Sequence, residues 1–150
     1  MTIATFDLTE HTQMSIRGTT GTHPDSRFVF GVYICTDEIH AEQSGFTPDI
    51  SAYDDMDWSK AVELAKWIGS IDESRPPSWE FIHLTDTCVA SYFPPYYCGN
   101  DDAWFGVMIE TSSGSQYPVG SFNDRCEWER AVRMAKWILE WDERFKEEKE

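Results

Sequence analysis

The chain has 150 residues, 27 acidic and 12 basic side chains, a formal net charge of −15, and a composition that is 41% hydrophobic and 15% aromatic. That length suits one domain or two small units sharing a core, and the aromatic side chains supply the apolar area to build it. A charge of this sign and size repels polyanions, so direct binding to nucleic acid or to an anionic membrane is disfavoured and a basic partner is favoured.

The first residues, Met1 to Asp7, lack the basic and long apolar segments of an export signal, and no apolar stretch is long enough to span a bilayer. A cytoplasmic location is expected, in the host cytoplasm if the protein is phage encoded. The four cysteines, Cys35, Cys88, Cys98 and Cys126, are then read as reduced thiols.

Phe6 and Leu8 predict a first strand, and Met14 and Ile16 a weaker second one. In the third, Phe28, Phe30, Val32 and Ile34 recur with the period of two that marks a half-buried strand. Gly31 interrupts its other face, as close backbone approach or a bend would require. A short return strand is expected near residues 43–47. Asp54 then stands where a helix N-cap belongs, with Asp57 in the first turn. Trp58, Ala61, Val62, Ala65 and Ile68 form an apolar stripe at helical spacing, and Gly69 is placed to end that helix.

Ser74-Arg75-Pro76-Pro77-Ser78 is a joint, since the paired prolines exclude helix and central strand. Beyond it the same order begins again. Phe81, Ile82 and Leu84 predict a strand, Val89 and Tyr92 a weaker one, and Ala103, Phe105, Val107 and Ile109 the inner face of a strong one broken by Gly106. A return strand is expected near 115–120. A helix follows from Asp124, carrying Trp128, Ala131, Val132, Ala135 and Ile138 and running on through Trp141 and Phe145.

The second half is a copy of the first. Residues 54–68 and 124–138 are identical at eight of fifteen positions at an offset of 70, Phe30–Ile34 matches Phe105–Ile109 at 75, and Phe6–Glu10 resembles Ile82–Asp86 at 76. The expected fold is therefore α+β and internally duplicated, each copy an antiparallel β-unit followed by one amphipathic helix, with the helices on one face of the sheet or sheets. The first repeat spans 1–73, the joint 74–78 and the second repeat 79–150, as one pseudo-two-fold domain or two intimately packed subdomains.

Catalytic and cofactor chemistry finds no footing in the motifs. Asp54-Asp55-Met56-Asp57 lacks the glycine turn and terminal Glu of a calcium loop, and the spacing of His83, Cys88 and Cys98 fits no tight zinc pair. No Cys–His or Ser–His–Asp set, phosphate loop or dinucleotide fingerprint is present. No metal, no cofactor and no enzymatic activity are expected.

Charge carries the functional expectation. Residues 1–124 hold nineteen acids and five bases, against eight and seven in 125–150. The plain reading is solubility. The sharper one is an acidic surface, with Asp37, Glu38, Asp54, Asp55, Asp101 and Asp102 at or near the contact, that docks on the Lys/Arg-rich surface of a nucleic-acid-binding machine. A stoichiometric inhibitor of the anti-CRISPR or anti-restriction type, encoded by a phage or mobile element, would work this way by charge and shape. The rigid loop Tyr92–Gly99 adds Tyr96 and Tyr97 as aromatic contacts. The alternative is a structural or adaptor module that homodimerises through Met134, Trp137, Trp141 and Phe145, a second apolar stripe on the last helix, with the acids serving solubility only.

Overall fold

A computed structural model describes residues 2–18, 28–35, 51–72, 78–95, 102–110 and 121–148. In the first copy β1 (Thr2–Asp7), β2 (Thr12–Gly18), β3 (Phe28–Cys35) and β4 (Ser51–Asp57) form an antiparallel meander that leads into α1 (Trp58–Ser70). In the second, β5 (Glu80–His83), β6 (Cys88–Phe93), β7 (Trp104–Glu110) and β8 (Ser121–Glu127) repeat that meander and lead into α2 (Trp128–Glu148). The sheets are separate, four strands each. The fold is α+β and consistent with a duplicated unit.

Alternation places the core. Met14 and Ile16 of β2 pair with Val32 and Phe30 of β3, and all four are fully buried. Ala90 and Tyr92 of β6 pair in the same way with Val107 and Phe105 of β7. The helices lay Ala61, Leu64, Ala65 and Ile68, and Ala131, Met134, Ala135 and Ile138, into one hydrophobic cluster that draws on both copies. The small alanines let the helices approach closely, and α1 packs against α2.

Aromatic side chains cross between the copies. Trp67 of α1 meets Trp128 of α2 edge to face at 6.3 Å, and Phe6 of β1 lies 5.4 Å from Trp137. The extra length of α2 covers the first copy. Phe145 stacks on Phe28 at 3.7 Å and meets Trp58 edge-on at 5.2 Å, while the Trp58 indole N–H donates to Asp142 at 2.9 Å.

Two expectations are corrected. The helices start at Trp58 and Trp128, so Asp54 and Asp124 are strand residues and not N-caps. Asp57 holds the α1 N-cap position in extended backbone, without a side-chain capping bond. Gly69 lies inside the last turn of α1, which closes at Ile71 through its N–H to the Ile68 carbonyl. The return strands expected near 43–47 and 115–120 lie outside the described residues, and the fourth strand of each sheet comes directly before its helix.

Candidate functional site

Asp54 sits on the inner side of β4, opposite Val32, and Asp124 on the inner side of β8, opposite Val107. Each reaches the first turn of the other copy. Asp124 Oδ2 accepts the hydroxyls of Thr9 and Thr12, the latter at 2.5 Å, and Asp54 Oδ2 accepts those of Thr85 and Thr87, the latter at 2.6 Å. The other carboxylate oxygen accepts the next backbone N–H, of Asp55 at 3.0 Å or Arg125 at 2.9 Å. Thr9 Oγ1 in turn accepts the N–H groups of His11 and Thr12, and Thr85 Oγ1 those of Thr87 and Cys88. A hydroxyl that takes two backbone donors and gives its own proton to a carboxylate is fully used. These reciprocal clasps join the two copies, and they engage the half-buried Asp54 within the molecule.

Asp55 points the other way, as neighbours on a strand do. It forms an ion pair with Arg17 and accepts the Tyr53 hydroxyl on the outer face of the first sheet. Burial, then the bond to Asp55, pushes the Tyr53 phenol up to about 12, and the same carboxylate raises Arg17 further. Gly31 makes room: a Cβ there would stand 2.5 Å from Tyr53 Oη and 2.8 Å from Ser15 Oγ. Asp54 and Asp55 therefore do not form a common acidic patch, and Asp55 has a cation already. Asp102 is exposed just before β7. Asp37, Glu38, Asp101, Tyr96 and Tyr97 lie outside the described residues.

The expected dimer stripe is covered from within. Met134 is fully buried, Phe145 is 5% exposed, and Trp137 and Trp141 pack against the core. Among the described residues the large exposed apolar side chains are Tyr33, Tyr53 and Phe81 on the strands, Trp79 just before β5, and Leu139 on α2, between 38% and 47% exposed.

The outer face of the second sheet holds a groove of about 360 Å³. Trp79, Phe81 and His83 line one side as a ladder, with ring centroids 5.2 and 5.3 Å apart along it. Val89, Phe93 and Met108 also line the groove. Phe93 lies across Gly106, where a Cβ would stand 2.6 Å from its ring, and the Arg125 guanidinium sits 4.9 Å over that ring. The duplication supplies an internal comparison. At the positions of Phe81, His83, Val89, Phe93, Met108 and Arg125, the first sheet carries Thr5, Asp7, Gln13, Arg17, Tyr33 and Asp55. An Arg–Asp ion pair in one copy thus becomes an Arg–Phe cation–π contact in the other, and Thr5 and Gln13 give way to Phe81 and Val89, although the first face keeps Tyr33 and Tyr53 exposed. Sequence reading missed this groove, although the signal is present once the outward positions of the two copies are aligned.

The two described thiols are unsuited to nucleophilic work. Cys88 and Cys126 are buried and unpaired with each other, and burial, reinforced by Asp54 and Asp124 respectively, pushes each up to about 12. Among the described residues no group of three or more His, Cys, Asp or Glu is placed to hold a metal, and no helix is long and apolar enough to cross a membrane. Compared with known proteins, the chain matches no family model, no curated protein and no solved structure.

Proposed function

We propose that the chain is a non-enzymatic acidic binding protein whose partner is a Lys/Arg-rich protein surface of the kind that normally holds nucleic acid. It would act there as a stoichiometric inhibitor, as anti-restriction and anti-CRISPR proteins of phages and mobile elements do. One observation carries this reading: among the described residues seven cations are engaged locally, while exposed carboxylates recur in both copies. Arg17, Lys60, Arg133 and Lys146 each pair with a neighbouring acid. Arg125, Arg130 and Arg144 lie over the rings of Phe93, Phe6 and Trp141. Exposed acids recur at matching places in the two copies, Glu10 with Asp86 in the first turns and Asp57 with Glu127 at the strand ends. The clasps take nothing off the excess, because Asp54 and Asp124 are bonded to hydroxyls and not to cations.

Opposite charges steer association and weaken steeply with salt. The immobilised chain is expected to retain nucleic-acid-binding proteins from a host lysate at low ionic strength. Added duplex DNA should compete for them, and ~0.5 M NaCl, where the Debye length falls toward a few ångströms, should release them. Retention of nothing, or retention indifferent to both salt and DNA, defeats the proposal.

A further inference from the structure

We propose that the groove on the outer face of the second sheet is where the partner docks, and that it takes a peptide segment bearing Lys or Arg side chains with apolar residues between them. The inference deepens the reading above and rests on it for the sign of the partner's charge.

The apolar character of this face is not required by the fold. The first sheet builds the same meander with Thr5, Gln13 and Arg17 where the second has Phe81, Val89 and Phe93. Exposed aromatics gathered in one place, and ringed by polar groups, mark an interaction surface. The volume, about 360 Å³, is that of a site for a few side chains, which fits a segment laid across the sheet rather than a bulky domain inserted into it.

Charge selects the occupant. Glu110 lines the groove at the end of β7, and Glu127 stands exposed beside Trp104 at the opposite end of the same strand pair. The groove's one arginine, Arg125, lies on the Phe93 ring. Lysine and arginine have long apolar stems and a cationic tip. Their stems would lie on Phe81, Val89 and Met108, with their tips at Glu110 or over the exposed Trp79 indole, which attracts cations through its face. An acidic segment would meet the same carboxylates and the field of the whole molecule.

The test uses the full chain, labelled with nitrogen-15, and two synthetic decapeptides, one of alternating Leu and Arg and one of alternating Leu and Glu, at low salt. The Trp79 indole signal is assigned with Trp79→Phe. The Leu–Arg peptide is expected to move that signal and the amides of Val89 and Met108, and the Leu–Glu peptide to move none of them. Phe81→Thr with Val89→Gln, which grafts the first sheet's residues onto the second, should weaken binding at least tenfold with the spectrum otherwise retained. Thr5→Ala with Gln13→Ala should leave it unchanged. If the Leu–Arg peptide binds but moves other signals, the groove is wrong and the acidic reading stands. If both peptides bind the groove equally, the groove stands and the cationic occupant is wrong. If neither binds, the docking site is overturned. A concentration-dependent dimer in sedimentation, abolished by Phe81→Thr, would make the occupant a second copy and overturn it too.

Discussion

Asp54 and Asp124 each collect two hydroxyls and a backbone N–H, all within the molecule. Hydrogen bonds to a carboxylate contribute more than neutral ones, so Asp54→Ala is expected to cost ~2–4 kcal/mol in urea denaturation. Asp124→Ala should cost a similar amount, because its clasp is the same arrangement seen from the other copy. The buried thiols add a pH dependence. An unfolded chain ionises them near 9, while the folded one holds Cys88 and Cys126 neutral up to about 12. Between those values the unfolded state binds fewer protons, so stability is intact below pH 9 and falls as pH rises toward 12. Tyr53 acts in the same direction from 10 to about 12. The urea midpoint should therefore decline across this window, and less steeply in Cys88→Ala than in the parent.

β4 and β8 show where the sequence misleads. Ser51–Asp57 reads as a polar helix entry because Asp is a poor strand former and a good cap, yet β3 pairs with it along its whole length. Tertiary pairing overrides the local preference, and a run such as Tyr53-Asp54-Asp55-Met56 then sends one aspartate inward and the next outward. The strong strands β3 and β7 and the helical stripes were legible from periodicity within a short window, and the repeat from matches at offsets of 70 to 76. Two separate sheets, the clasps and the groove were not, because each depends on which residues of one copy meet those of the other. The Thr9 and Thr85 match was visible in the alignment, but nothing in it indicates a bond to Asp124 or Asp54. The length of α2 was likewise legible and its use was not. Phe145 closes over Phe28 and Trp58 of the first copy. Phe145→Ala is expected to cost ~3 kcal/mol by urea denaturation, in the range for a buried aromatic, while circular dichroism at low denaturant stays close to the parent.

At the scale of the molecule, a net charge of −15 on 150 residues means that like charges repel wherever cations are not beside them. Screening should then stabilise the fold. Raising NaCl from ~0.01 to ~0.5 M shortens the Debye length from about 30 Å to a few ångströms, and the urea midpoint is expected to rise with it. A flat or falling midpoint would show that the acids are already balanced locally. Under the proposed function, salt is expected to move two properties in opposite directions, strengthening the free protein while loosening any hold on a cationic partner. The reciprocal clasps have a consequence for how such a molecule can be divided. A lone half keeps both parts of a lock, its own aspartate and its own threonines, but the geometry lets neither reach the other. A second such fragment could supply the missing part, as each copy does for the other here, which is consistent with two like units tied end to end. The tie frees one member's outer wall to change without any matching change in its sibling.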